Sequence, residues 1–473
     1  MPEKNDTPES KDIKEKLSFK KDIVWDRLES KEKEDVFVFA EGYKEFLNRA
    51  KTERETVKEI IHFAEQNGFK NFQTASHGGK KIYKENHNKI IAMGILGERP
   101  IEDGIRIIAS HIDSPRLDLK QNPLYEEVDL ALLKTHYYGG IKKYHWVSRP
   151  LALHGKIIKE DGSELDLCYG ENEDDPIFTI VDLLPHLARK TQYEKKLEDA
   201  IIGEKLNIII GSIPFPDTDM KDRIKLQVLK YLNDTFGLIE EDFVSAELEV
   251  VPSGNARDIG WDRSLIGSYG QDDRSCAYAS MRAIGDIESP EETLLALFLD
   301  KEEIGSEGNT GAKSRFLEAM VFDLLSLAGV RVDEGMLRKV LMNSRAISAD
   351  VNGAIDPDYQ EVHEKMNAAK IGYGVCITKF TGSRGKVGSN DASAEFMGWL
   401  RQLFNRNNII WQTGELGKVD EGGGGTIAKF LASYGMNIVD CGVPLLGMHS
   451  PFEVSSKADV FMTYKGYKVF FSK

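Results

Sequence analysis

Cysteine is scarce in this chain: four in 473 residues, Cys168, Cys276, Cys376 and Cys441, with no CxxC pair among them. Such wide spacing suits buried thiols in a reducing compartment better than a disulfide framework or a zinc knuckle. Long apolar runs are also missing. No stretch approaches the roughly 20 residues that a membrane helix needs, and the opening MPEKNDTPESKDIKEK has no apolar core of the kind found in a secretory signal. A cytoplasmic protein with no membrane partner is the expectation. Basic charge is short as well, with 62 Lys and Arg against 77 Asp and Glu and a net charge of −15. That balance argues against a nucleic-acid partner, because phosphate binding requires clustered cations. Internal repeats and low-complexity tracts are absent. What is present is an apolar fraction of 41%, adequate for a substantial core, in a chain long enough for several structural units or one domain with an insertion.

Residues 1–32 read as a mobile or peripherally packed lead-in, and a helical pattern covers 34–66, with Gly68 as its stop. Strand-like runs follow at 89–96 and 104–112, the second ending in His111-Ile112-Asp113-Ser114-Pro115. A buried strand that ends in ligand-type residues is the layout of an α/β site at the carboxyl edge of a sheet. Residues 116–250 have another character, with glycine turns, a hairpin around Glu160-Asp161-Gly162 and an acidic run at 171–175. They read as a unit inserted between 1–115 and 251–473. Strands resume at 246–251, 293–299, 346–351, 372–380, 409–412 and 437–443, and helices fit 273–287, 314–327, 392–405, 426–434 and 456–471. This alternation predicts an α/β fold with a helix-flanked mixed sheet.

Five segments place metal-type donors just beyond apolar strands: Ser110-His111-Ile112-Asp113, Gln271-Asp272-Asp273-Arg274, Asp300-Lys301-Glu302-Glu303, Ser348-Ala349-Asp350 and Gly447-Met448-His449-Ser450. Singly, each has a structural explanation. Asp272 could be a helix N-cap, Asp350 a turn cap, Glu302 and Glu303 a solvated pair, and either histidine a hydrogen-bonded surface residue. Jointly, two histidines and three carboxylates suit a pair of divalent ions with one bridging carboxylate. Such a pair makes hydroxide available from a bridging water near neutral pH, and a further carboxylate must take that water's proton and pass it to the leaving amine. Adjacent glutamates can divide these duties, one binding metal and one facing the water, although their spacing does not say which does which.

The order HxD, Asp at a helix start, DxEExGS, SAD and GMHS resembles the aspartyl aminopeptidase family of two-metal peptidases. The likeness extends through SHIDSPRLDLK, DKEEIGSEG, SADVNGAIDPDY and the long block from LGKVDEGGGG to GMHSPFE, covering both flanks of the chain. The resemblance implies a metal-dependent aminopeptidase that removes N-terminal residues, acidic ones among them, with two zinc ions per subunit (cobalt or manganese also fitting the donors). It implies that His111 binds one ion and His449 the other, that Asp272 bridges, and that Glu303 and Asp350 complete the set. Glu302 would be the general base, and Asp113 would orient His111. It further implies an inserted, mainly-β dimerisation unit and dimers assembling to a dodecamer. Two features depart from the family pattern. An Asp-Asp-Arg run, more like glutamyl and deblocking aminopeptidases, replaces the usual Asp-Asn and leaves Asp273 as an alternative bridge. No histidine follows two residues after Asp350.

An acidic first side chain would need a cation, and Lys370, Arg384 and Lys386 are the candidates. His136 and His145, in the inserted unit, could reach a neighbouring subunit's site. Gly422–Gly425 could admit backbone to the substrate or form a plain turn. Two other classes remain compatible: an amidohydrolase of acylated small molecules, and a catalytically silent metal-binding assembly protein.

Overall fold

Four apolar runs form the parallel centre of a nine-stranded sheet in the computed structural model, which describes residues 7–73 and 79–473. Thr293–Leu299, Ile105–His111, Arg345–Ser348 and Asn437–Gly442 lie side by side and point the same way. The first two are buried at every position, as strands covered on both faces must be. Ile90–Ile95 pairs antiparallel on one flank and Val375–Thr378 on the other, which makes the sheet mixed, as expected. Successive side chains of the central strand divide between two cores. Ile108 packs with the helices Gln271–Gly285 and Lys457–Ser472, while Ile107 and Ala109 pack with Phe316–Leu327 and Glu334–Asn343. This period-two division follows from the pleat. Because the four strands are parallel, their carboxyl ends share one edge, and the residues just past them meet there.

Residues 116–252 supply a second, six-stranded sheet, antiparallel throughout, with its own apolar cluster around Leu117, Leu153 and Val250. The hairpin expected at Glu160-Asp161-Gly162 joins Leu151–Ile158 to Glu164–Tyr169, and Gly162 adopts the positive φ of its turn. The strand expected at 246–251 is Glu247–Pro252. It belongs to this sheet and does not resume the nine-stranded one. Its apolar pattern suits either sheet, so its partner could not be read locally. A third sheet of five short strands includes Leu265–Ser268, Pro444–Leu446 and Glu453–Ser456, and it aims the loops that carry Asp272 and His449.

The single helix expected over 34–66 is two, Ser30–Arg49 and Glu53–Gln66. The break is a capping box in which Thr52 Oγ1 accepts from the Glu55 N–H and the Glu55 carboxylate accepts from the Thr52 N–H. The lead-in is also less peripheral than expected. Val24 is buried, and its N–H donates to the Gly372 carbonyl; residues 1–6 of that segment lie outside the described residues. Among the described residues, no helix is long and apolar enough to cross a membrane.

Candidate metal centre

His111 is the last residue of its strand, and Asp350, Glu302 and Glu303 follow the ends of the two strands beside it. Asp272 reaches the same place from the start of Gln271–Gly285, where the backbone at Asp272 and Asp273 is non-helical and the peptide between them is cis. His111, Asp272 and Asp350 each bring a donor atom within 4.8 Å of the other two, as do Asp272, Glu303 and His449. The shared member is Asp272. Its Oδ1 is 3.2 Å from His111 Nε2 and its Oδ2 is 3.3 Å from His449 Nε2. Asp350 Oδ1 stands 3.8 Å from His111 Nε2, and Glu303 Oε2 is 3.4 Å from His449 Nε2. Asp273 does not span the two rings; its Oδ2 accepts from the His111 backbone N–H at 3.3 Å.

Asp113 ties this edge together. Its two carboxylate oxygens accept the backbone N–H groups of Glu302 and Glu303 at 3.1 and 3.2 Å, which holds the peptide while the two side chains diverge. His111 Nδ1 donates to the Asp113 backbone carbonyl at 3.1 Å, with Asp113 Oδ1 3.3 Å away, so the ring's other nitrogen faces Asp272. Glu453 does similar work on the far side, accepting from the His449 N–H at 2.8 Å and the Asp272 N–H at 3.1 Å. The sequence reading missed Glu453, although it stands four residues beyond His449 in the quoted block. It also missed Asp440, at the end of Asn437–Gly442, whose carboxyl burial pushes up to about 6.

The charge at the centre is lopsided. Burial, followed by the charges of Asp113 and Asp272, pushes Glu302 up to about 7 despite the opposing pull of His111. Burial also raises Glu303 and Asp350 well above the carboxylate range, with Asp272 adding to both. Burial alone would lower the two imidazoles. The carboxylates of Asp113 and Asp272 beside its two ring nitrogens outweigh it at His111, raising that ring well above its ordinary value, and Glu303 and Asp272 hold His449 at about 11. Asp272 Oδ1 and Glu303 Oε1 are buried without a hydrogen bond. Among the described residues no lysine or arginine pairs with Asp272, Glu302, Glu303 or Asp350. Buried carboxylate oxygens and imidazole nitrogens left without a cationic side chain are the donor chemistry of a divalent metal site.

A cavity of about 930 Å³ opens over these residues. Phe380, Leu416, Val419 and Met448 give it apolar wall, and Gly422–Gly425 line it too. The expected substrate cations are elsewhere. Lys370 is exposed, with its ammonium 5.5 Å over the Tyr373 ring, and Arg384 and Lys386 are exposed on the turn between Gly382 and Gly388. None of the three lines the cavity, because the loop presents its glycines inward; Lys418 and Lys429 line it instead. His136 is exposed beside the Tyr137 ring, and His145 is half-buried against Tyr144; neither reaches this chain's metal-type residues.

A paired imidazole–carboxylate cluster at the carboxyl edge of a helix-flanked mixed sheet defines the class as a metallohydrolase. Residues 46–471 match the family described as aminopeptidase I zinc metalloprotease (M18), and the chain belongs to that family. The probable M18 family aminopeptidase 1 of Clostridium acetobutylicum is 50% identical over 453 residues, 94% of this chain and 97% of the relative. The Thermotoga maritima protein of the same description is 48% identical over 448 residues, again 94% and 97%. A solved M18-family aminopeptidase from Thermotoga maritima superimposes with a TM-score of 0.92 at 47% identity, over 96% of this chain and all of that one. The S. cerevisiae mApe1 dodecamer shares the fold, with a TM-score of 0.72 at 22% identity over 91% and 96%. The chain is therefore a metal-dependent aminopeptidase, a hydrolase of peptide bonds, in a zinc metalloprotease family.

Proposed function

We propose that the chain holds two divalent ions, His111 and Asp350 on one, His449 and Glu303 on the other, with Asp272 bridging. The observation that carries this reading is the Asp272 carboxylate, one oxygen toward each imidazole at 3.2 and 3.3 Å. Zinc suits the donors, and cobalt and manganese accept the same set. When bound, such a pair polarises the scissile carbonyl and lowers the pKa of the attacking water.

The chain's own residues do the rest. Glu302 lines the cavity and is assigned to neither ion, which leaves its carboxylate to take a proton from the attacking water and return it to the leaving amine. Asp113 holds the Glu302-Glu303 peptide so that one side chain serves the metal and the other the proton. The excess of carboxylate around the cavity favours a cationic α-amino group. An acidic first side chain would meet Lys429, which lines the cavity and forms no ion pair among the described residues; this duty does not fall to Lys370 or Arg384.

Residues 116–250 act as the inserted dimerisation unit, with 1–115 and 251–473 as the catalytic domain. Val181, Leu187 and Ile213 of the insert are large apolar side chains left exposed in the single chain. Dimers would assemble to a dodecamer in the cytoplasm, which light scattering of the purified chain checks. The defining experiment is a screen of aminoacyl, N-acetyl-aminoacyl and peptide chromogenic substrates, with zinc, cobalt and manganese each added back to apo-enzyme. Cleavage of free-amine substrates is expected; cleavage of blocked substrates alone would contradict this reading.

A further inference from the structure

The strand Leu130–Tyr138 of the six-stranded sheet does not stop short of the metal centre; its last residue and the two that follow run into it. Tyr138 Oη donates to Asp113 Oδ2 at 2.8 Å. Its ring is covered by the Arg116 guanidinium at 4.0 Å, which is itself held by Asp118 at 2.8 Å, Glu249 at 3.1 Å and Glu53 at 3.3 Å. Two residues on, the Gly140 carbonyl lies 2.9 Å from His449 Nδ1. A carbonyl can only accept, so Nδ1 carries the hydrogen and Nε2 is presented to Asp272 and Glu303. Between them, Gly139 takes φ 74°, and a Cβ there would meet Glu303 Cβ at 3.3 Å. One at Gly140 would meet His449 Nδ1 at 3.3 Å. Three consecutive residues thus orient the partner of one imidazole and the ring of the other.

We propose that Tyr138–Gly140 is a positioning element for both halves of the metal centre, so that the antiparallel sheet sets metal affinity as well as any subunit contact. The proposal rests on the ligand assignment made above. Its physical basis is that a metal-binding imidazole needs its second nitrogen, or the carboxylate on it, held in place; losing such a partner typically costs about 10–100-fold in metal affinity or activity. Tyr138 acts on His111 through Asp113, and Gly140, which also lines the cavity, acts on His449 directly.

The test is metal titration of the full-length apo-protein against a chromophoric chelator, for wild type, Tyr138→Phe and Gly140→Ala, with Asp272→Asn alongside. Tyr138→Phe keeps the ring under Arg116 and removes only the hydroxyl. It is expected to weaken one ion by about 10-fold or more, to regain most of its kcat in excess metal, and to keep KM and the apo-protein's melting temperature. Gly140→Ala is expected to weaken the other ion. Wild-type affinity for both ions in Tyr138→Phe and Gly140→Ala would overturn the proposal. So would metal loss that only tracks a fall in apo-protein melting temperature, because that would be a packing effect. If Asp272→Asn also keeps both ions, the ligand assignment itself has failed; if Asp272→Asn loses metal and the other two do not, the positioning role alone has failed.

Discussion

Two clusters in this molecule join histidine to carboxylates and differ in what surrounds them. Around Asp272, buried oxygens of Asp272 and Glu303 have no hydrogen bond, and among the described residues no lysine or arginine pairs with the group. Around His154, everything is matched. Its Nδ1 meets Glu55 Oε1 at 2.8 Å and its Nε2 meets Glu171 Oε1 at 3.1 Å, with Cys168 Sγ 4.0 Å away. Lys51 closes on Glu171 at 2.6 Å, and the Gly254 N–H caps the other Glu171 oxygen. By residue type, Glu55, His154 and Cys168 would pass for a metal site. The difference teaches that donor identity is a weak guide, and that unsatisfied donors in a negatively charged pocket are the stronger one. Histidine is raised in both clusters; the second adds the Lys51 ammonium on Glu171, whereas the first leaves buried carboxylate oxygens that a cation would meet.

That contrast can be broken or sharpened by substitution. Asp272→Ala should abolish activity and release metal from both half-sites, read by turnover and elemental analysis together. Glu302→Gln should keep both ions and lose about 10²–10⁴-fold in kcat, the usual share of a positioned acid or base; near-normal turnover would remove Glu302 from that role. His154→Gln should leave the metal content alone and destabilise the fold by roughly 3 kcal/mol, because it strands the buried Glu171–Lys51 pair and Glu55 without their partner.

The loss at His154 should depend on pH. Burial opposes its charge, but the hydrogen bonds from Cys168, Glu171 and Glu55 outweigh it and raise the ring from 6.5 to about 11. A raised histidine stabilises the fold fully below its unfolded value and loses that contribution as pH climbs toward the folded one. Urea melts of wild type and His154→Gln should therefore differ most near pH 6 and converge toward pH 10; a gap that widens with pH would contradict the assignment. The smallest effect is expected at the cavity wall. Lys429→Met should cut kcat/KM for aspartyl and glutamyl substrates about 10-fold, the scale of one exposed-to-partly-buried ion pair, and leave leucyl substrates unchanged.

The parallel centre of the fold was legible because its strands are continuous apolar runs, and His111, Asp350 and Glu302-Glu303 were legible because they stand directly past those runs. Glu247–Pro252 was legible as a strand but its sheet was not, because its partners, Leu151–Ile158 and Arg116–Glu127, are distant in sequence. The helix break at Thr52 was legible in the Thr52–Glu55 capping box but was hidden by the apolar pattern running through it. Tyr138 and Glu453 act on the centre from two other sheets, so nothing adjacent to them marks their role. Lys370 and Arg384 were chosen by chain position, whereas the cavity wall depends on how glycine-rich loops close over the sheet edge, and that closure brings Lys429 in.

The central claim is that Asp272, His111, Asp350, Glu303 and His449 form the metal centre and the His154 cluster does not. Elemental analysis of protein stripped and then reloaded with zinc tests it most directly, on wild type, His449→Ala and His154→Gln. The account predicts two equivalents per chain in wild type and in His154→Gln, and no more than one in His449→Ala. Two equivalents in His449→Ala, or a loss confined to His154→Gln, would contradict it.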